Sequence, residues 1–186
     1  MTLAVDARQS GAQPGTARAR NLLFVMCDQP RADHLSCYGH PSLKTPAIDA
    51  LAARGTLFEN AFVQSGVCGP SRMSFYTGRY VSSHGATWNR VPLSVAEWTL
   101  GDHLRAAERR LTLIGKTHVM PDTEGLQRLA IEGQSELGHL LLRGGFREVE
   151  RYDGHHETGP KDAYSQFLQA PGYTSDTPWS DYVISA

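Results

Sequence analysis

The chain has 186 residues, and its 18 Lys and Arg against 19 Asp and Glu give a formal net charge of −1. This balance provides no bulk electrostatic attraction, so the sequence predicts neither nucleic acid nor an anionic membrane as a partner. Hydrophobic residues make up 40% of the chain, which is ordinary for a globular protein and argues against general disorder. No apolar run approaches the roughly 20 residues of a membrane span and no secretory signal is evident, so we expect a cytoplasmic protein.

Apolar runs and helix-capping residues predict strands that alternate with helices. Residues 1–20 are small, polar and unperiodic, which predicts a flexible tail, with order beginning at residue 21. Runs typical of buried parallel strands lie at 22–27 and 111–114, with shorter candidates at 56–58 and 146–149. Helices are predicted between capping residues at 46–54, 70–77, 100–107 and 137–142. This alternation indicates an α/β fold with a largely parallel sheet flanked by helices.

Cys68 is predicted to lie just before a helix whose first turn contains Pro70. Free N–H groups and the positive end of the helix dipole favour an anion at such a position. Arg72 lies four positions further on, so its guanidinium can reach back toward Cys68 or toward an oxyanion bound beside it. These residues indicate a nucleophile in an oxyanion cradle, although a small buried cysteine at a helix start explains them about equally well.

The segment around Cys68 resembles the signature of the sulfatases, a family of the alkaline phosphatase superfamily. Residues 68–72 read CGPSR, and residues 77–79 read TGR at the offset that the family shows. Three further segments resemble the family in the same order: a strand ending in an acid at 21–28, a TPNLD-LA-GVxFxNA-like run at 44–61, and Gly-Lys-Thr-His at 115–118. The resemblance implies that residues 21–186 are the N-terminal portion of a sulfatase catalytic domain, in the branch that includes arylsulfatases and phosphonate monoester hydrolases.

The resemblance also implies covalent catalysis at residue 68. In the sulfatase family this cysteine is oxidised to formylglycine (3-oxoalanine), so a formylglycine-generating enzyme becomes an expected partner. One hydroxyl of the hydrated aldehyde attacks the ester, and the second hydroxyl later helps to expel sulfate. Arg72 is then expected to hold the hydrate, while Lys116 and His118 bind substrate oxygens or the leaving group. Asn89 matches a substrate-contacting position of the phosphonate hydrolases, although a polar turn residue explains it equally well.

A divalent metal is implied by the same resemblance, with Ca²⁺ expected first and Mn²⁺ as the alternative. Its ligands in this chain would be Asp28, Gln29 and the modified Cys68. Gln29 stands where many sulfatases have a second Asp, which removes one anionic ligand and resembles the phosphonate hydrolase branch. A metal of this kind needs about six oxygen ligands, and the family's other acidic pair comes from a later segment. We therefore expect a truncated domain that hydrolyses esters poorly or not at all by itself.

Several alternatives stay open at the level of sequence. Phosphonate monoesters or phosphodiesters compete with small sulfate esters as substrates, because Asp28-Gln29 favours the former and Lys116-x-His118 the latter. An unmodified Cys68 acting as in tyrosine phosphatases fits poorly, since those enzymes place five residues between Cys and Arg and this chain places three. A non-catalytic oxyanion-binding product is a further alternative, and the oligomeric state, a homo-oligomer included, is undetermined.

The remaining conspicuous side chains are assigned structural roles. Cys27 lies inside the predicted first strand and is expected in the core. The tryptophans are expected to serve packing, and the pair His155-His156 is expected in a surface turn, because adjacent residues diverge and would not share a metal.

Overall fold

The computed structural model describes residues 21–151, 163–173 and 175. The chain divides into two compact units, Met1–Val63 and Gln64–Ala186. The predicted tail at 1–20, Trp179 and the His155-His156 pair lie outside the described residues. Within the described ranges, no helix has the length and apolar character that crossing a membrane requires.

The first unit contains one helix, α1, in its described part, and its bounds of Pro46–Arg54 confirm the prediction. Thr45 precedes it as N-cap, and the proline takes the first helical position, where its missing N–H costs nothing. The Ser36 hydroxyl donates to Asp49 Oδ2 at 2.6 Å and accepts from the Thr45 N–H at 2.8 Å. These bonds fasten the start of α1 to the preceding chain, which forms two short 3-10 turns at Ala32–His34 and Ser36–Tyr38.

The predicted first strand is wrong. Residues 22–27 have no regular secondary structure, and Leu22 and Leu23 are 89% and 87% exposed. Cys27, expected in the core, is exposed as well. The short candidate at 56–58 also forms no strand. An apolar run indicates that a segment gains from burial, but a strand exists only where a neighbouring strand accepts and donates its backbone hydrogen bonds.

The second unit carries the other helices and the sheet. Its described elements, in chain order, are α2 Cys68–Thr77, α3 Val81–His84, α4 Leu100–Ala106, β1 Thr112–Gly115, α5 Thr123–Arg128, α6 Glu136–Leu142, β2 Arg147–Arg151 and α7 Ala163–Gln169. The structure confirms five predicted elements to within two residues at both ends, namely those at 70–77, 100–107, 111–114, 137–142 and 146–149. Helix α2 begins two residues earlier than predicted, so Cys68 is the first residue of the helix and does not precede it.

The two strands pair in parallel, which confirms the predicted α/β class. Thr112 lies opposite Arg147, and a register irregularity falls between Leu113 and Ile114. Leu113 packs with Leu111 against a core cluster formed by Met73, Tyr76, Ala86, Leu93, Val119 and Phe146. Because two of these residues come from α2, this helix and the sheet share one hydrophobic core, which brings α2 close to the chain that leaves β1.

Both tryptophans in the described part of the chain lie outside the hydrophobic core. Trp88 and Trp98 are 62% and 60% exposed, and the Trp98 ring lies against the exposed His103 ring with 5.2 Å between centroids. The aromatic core contact is made instead by Tyr76 and Phe146, whose rings meet edge to face at 4.8 Å and 73°. Residue type alone does not determine which aromatics become buried, because burial depends on which element faces the core.

A buried histidine joins α3 to α2. His84 is 4% exposed, and its Nδ1 accepts the Ala86 N–H at 3.1 Å. The ring proton therefore resides on Nε2, which donates to the Ser74 hydroxyl at 2.9 Å. Burial lowers the pKa of His84 below its ordinary value of 6.5, while Glu97 raises it and Arg79 lowers it by smaller amounts. The folded protein therefore holds this histidine neutral.

We expect the neutral His84 to make the protein lose stability in acid. The unfolded chain binds a proton near pH 6.5, whereas the folded chain binds it only at lower pH. The contribution is complete above pH 6.5 and is lost as the pH falls through the lowered folded pKa. Urea unfolding at a series of pH values measures it. In His84→Gln, the free energy of unfolding should depend less on pH than it does in the wild-type protein. His103→Gln alters an exposed ring and should keep the wild-type pH dependence. The same pH dependence in both variants would contradict the assignment to His84.

Candidate functional site

The first turn of α2 presents Cys68 at the surface of the second unit. Val67 is the N-cap, and the first helical hydrogen bond runs from the Ser71 N–H to the Val67 carbonyl at 3.1 Å. Cys68 is a free cysteine and is half-buried. Pro70, two residues on, is fully buried and has no N–H to offer. The residue predicted to become the nucleophile therefore begins a ten-residue helix whose next turn is packed into the protein.

The predicted cradle of free N–H groups is largely occupied by the protein itself. The Gly69 N–H donates to Asn89 Oδ1 at 2.8 Å, and the Ser71 N–H is used within the helix. A Cβ at position 69 would lie 2.8 Å from Asn89 Oδ1 and 3.4 Å from Asn89 Cα, so a side chain here would push the Asn89 amide out of its present position. The structure thus corrects the expectation of an open helix terminus. It brings Asn89 beside residue 68, where its carbonyl oxygen caps the helix from a distant segment.

Arg72 connects α2 to the chain that follows β1. Its side chain is almost wholly buried, with the residue 6% exposed, and Nη1 donates to the Lys116 carbonyl oxygen at 2.8 Å. The two residues are 44 positions apart in sequence. A buried guanidinium cannot lose its proton, so this contact fixes a permanent positive charge at the junction of α2 and β1.

The residues after β1 form a tightly held turn. Gly115 has a φ of 101°, and His118 has a φ of 56°, a left-handed conformation that is uncommon for a side chain other than glycine. Between them, Thr117 is 0% exposed, and its carbonyl oxygen accepts the Tyr76 hydroxyl at 3.2 Å. Lys116 and His118 are both half-buried. The structure therefore brings Arg72 close to the turn that carries Lys116 and His118. Cys68 is the first residue of α2, the helix that contains Arg72, and Asn89 contacts the first turn of that helix.

Asp28 and Gln29 lie in the first unit, in a bend that follows segment 21–27, and both are exposed. Gln29 adopts a φ of 55°, so it too is a non-glycine residue in the left-handed region. Backbone strain of this kind costs free energy and concentrates at functional sites. Among the described residues, the left-handed non-glycine positions include two candidate site residues, Gln29 and His118, and the neighbour of a third, Arg90.

The described residues fit a divalent metal in kind but not in number. The Asp28 carboxylate and the Gln29 amide supply the hard oxygen ligands that Ca²⁺ and Mn²⁺ prefer. The described part of the chain contains no group of three or more His, Cys, Asp or Glu side chains that could hold a metal ion. These residues by themselves do not complete a coordination sphere.

Two contacts of the site could not be read from residue types alone. Tyr76 follows Arg72 by four positions, so a shared helix face was foreseeable, but its partner at Thr117 was not. The contact of Gly69 with Asn89 spans 20 positions and depends on the course of the intervening loop. Both contacts join α2 to distant segments, and no pattern of neighbouring residues in the sequence predicts such pairings.

Comparison with known proteins shows which families share this sequence and fold. The Sulfatase family model matches residues 20–185. An ulvan-active sulfatase of Formosa agariphila is 34% identical over 102 residues, covering 55% of this chain and 20% of that protein. The steryl-sulfatase of Mus musculus is 32% identical over 155 residues, covering 77% of this chain and 23% of that protein.

A solved structure extends the similarity to the fold. The crystal structure of the phosphonate monoester hydrolase of Agrobacterium radiobacter superposes with a TM-score of 0.63 at 30% identity, covering 81% of this chain and 28% of that one. The chain spans between a fifth and a quarter of the length of the two sulfatases named above.

Proposed function

This chain belongs to the sulfatase family, and from that premise we propose that the protein hydrolyses sulfate esters through a formylglycine formed from Cys68. Its α/β fold, with a parallel sheet, is that of the N-terminal part of an alkaline-phosphatase-like sulfatase domain. Residues 21–186 would then be one portion of a catalytic domain. A formylglycine-generating enzyme is the partner that this chemistry needs, and a small sulfate ester is the substrate.

The observation that carries the proposal is the hydrogen bond from Arg72 to the Lys116 carbonyl. It joins the helix that begins with Cys68 to the turn that bears Lys116 and His118, although 44 positions separate the two residues. Two parts of the sulfatase resemblance, the CGPSR signature and the Gly-Lys-Thr-His segment, thereby meet at one place. Their proximity supports the proposal that both segments serve one site.

Each residue in this region has a chemical task in the proposed reaction. Hydrated formylglycine at residue 68 supplies an oxygen nucleophile when the modification is present. Arg72 keeps a fixed positive charge beside α2, where negative charge grows on the ester oxygens. Lys116 and His118 bind substrate oxygens, and one of them donates a proton to the departing alcohol. Asn89 orients residue 68 by accepting the Gly69 N–H.

The metal ligands are proposed from the family resemblance alone. Asp28 and Gln29 would contribute oxygen ligands for Ca²⁺, or for Mn²⁺, together with the modified residue 68. Bound metal would polarise the ester and assist nucleophile formation. The other ligands would have to come from residues outside this set, because two side chains and one modified residue supply fewer oxygens than such ions bind.

A second candidate function has its own support. The structural similarity to the phosphonate monoester hydrolase of Agrobacterium radiobacter covers most of this chain, and Gln29 replaces an acidic residue that many sulfatases carry. An amide ligand lowers the negative charge around a metal and suits a phosphonate monoester or phosphodiester as substrate. Parallel assays with aryl sulfate and aryl phosphonate esters distinguish the two activities by their relative kcat/KM.

The deciding experiment is mass spectrometry of the peptide that carries residue 68. After co-expression with a formylglycine-generating enzyme, we expect the thiol to be converted to the aldehyde, and Cys68→Ala to lose all ester hydrolysis that the protein shows. Cys27→Ala removes another cysteine and should change neither result. An unmodified thiol after co-expression would count against the mechanism, and sulfate binding without hydrolysis would favour the non-catalytic oxyanion-binding alternative.

A further inference from the structure

Tyr76 is a buried residue of α2 to which the proposed chemistry assigns no task. It is 5% exposed, and its ring is held edge to face against Phe146 with 4.8 Å between centroids. Its hydroxyl donates to the Thr117 carbonyl oxygen at 3.2 Å. The ring packing needs no hydroxyl, so the hydroxyl contributes something separate from the core.

Arg72 and Tyr76 bond to consecutive carbonyl groups of the turn after β1. Residues four apart on a helix share one face, so both donors approach the turn from the same side. Arg72 holds the Lys116 carbonyl at 2.8 Å, and Tyr76 holds the Thr117 carbonyl at 3.2 Å. Successive carbonyls of an extended chain point in opposite directions, so two carbonyls held by one face require a turned backbone.

The backbone conformation of His118 indicates that neighbouring contacts fix this turn. Its φ of 56° is unfavourable for a histidine, and such a residue persists only where neighbouring contacts determine the backbone. The carbonyl that Tyr76 holds belongs to the peptide group that leads directly into His118. The hydroxyl of Tyr76 therefore acts on the bond from which the His118 backbone starts.

We propose that Tyr76 is a positioning residue for the turn at residues 115–118, which acts as the oxyanion-binding turn. Its hydroxyl, together with Arg72, sets the direction in which Lys116 and His118 leave the backbone, so that both side chains approach one oxyanion. This inference rests on the proposed function, in which Lys116 and His118 bind substrate oxygens. Tyr76 touches neither substrate nor nucleophile in this assignment.

The test compares Tyr76→Phe with Ser74→Ala in the full chain, using inorganic sulfate as the probe. Tyr76→Phe keeps the ring and removes the bond to Thr117. Ser74→Ala removes a different buried hydrogen bond of the same helix, the 2.9 Å contact with His84. We expect Tyr76→Phe to shift the His118 ring signals in ¹H–¹⁵N NMR spectra and to weaken sulfate binding about three- to tenfold. Ser74→Ala should lose comparable stability while leaving both readouts unchanged.

The outcomes separate this inference from the proposed function. Unchanged His118 signals in Tyr76→Phe, or equal shifts in both variants, would overturn the positioning role even if sulfate binds. If the wild-type chain does not bind sulfate, the oxyanion role of Lys116 and His118 falls. The His118 signals then still decide whether Tyr76 positions the turn, because they need no bound ligand.

Discussion

Replacing Arg72 with alanine is expected to lower the free energy of unfolding by about 2–3 kcal/mol and to weaken sulfate binding at least about tenfold. The guanidinium is buried and donates to the Lys116 carbonyl at 2.8 Å. Its removal leaves that carbonyl without this donor and deletes the positive charge between α2 and the turn that follows β1. Urea unfolding measures the first effect, and calorimetric titration with sulfate measures the second.

Arg79→Ala is the matched control, because Arg79 belongs to the same signature but faces outward. Its guanidinium pairs with both carboxylate oxygens of Glu97, at 2.7 and 2.6 Å, and its side chain is 48% exposed. Arg79 is exposed while the Glu97 side chain is only 16% exposed, so this variant should lose less stability than Arg72→Ala and should keep a sulfate affinity close to wild type. Similar losses in Arg72→Ala and Arg79→Ala would show that Arg72 has no special part in the site.

Replacing Gly101 with alanine is expected to destabilise the protein by about 3 kcal/mol or more, the largest stability effect that we predict for a single methyl group. A Cβ at this position would lie 2.6 Å from Gly145 Cα and closer still to the Gly145 carbonyl oxygen. Both partners are backbone, so no flexible side chain can move aside. The start of α4 would have to separate from the turn before β2. Chemical unfolding of Gly101→Ala reports the loss.

Gly133→Ala is the control for this prediction. Its added Cβ would meet only Leu142 Cδ1, at the ordinary contact distance of 3.7 Å. Removing backbone freedom from the unfolded chain at a compatible site stabilises a protein by about 0.4–1 kcal/mol, so this variant should equal or slightly exceed wild type. A Gly101→Ala protein as stable as Gly133→Ala would mean that α4 and the turn are not in the close contact described here.

The candidate site residues follow from short sequence motifs, whereas the contacts between them do not. The CGPSR and Gly-Lys-Thr-His segments identify Cys68, Arg72, Lys116 and His118 as candidates because their spacing within each segment is short and characteristic. The assignment of an open oxyanion cradle failed for a reason that lies outside the segment. Asn89, 20 positions from Gly69, fills the place where a free N–H was expected.

Local sequence was sufficient for elements whose signals are carried by neighbouring residues. Helix α1 and the positions of strands β1 and β2 follow from caps, turn residues and apolar runs, since these act within a few positions of the chain. Segment 22–27 was misjudged because a strand depends on a partner, and an apolar run specifies none. Tertiary structure alone decided three contacts: Arg72 with Lys116, Tyr76 with Thr117, and Gly101 with Gly145. Each of them joins atoms that approach one another only after distant segments share a core.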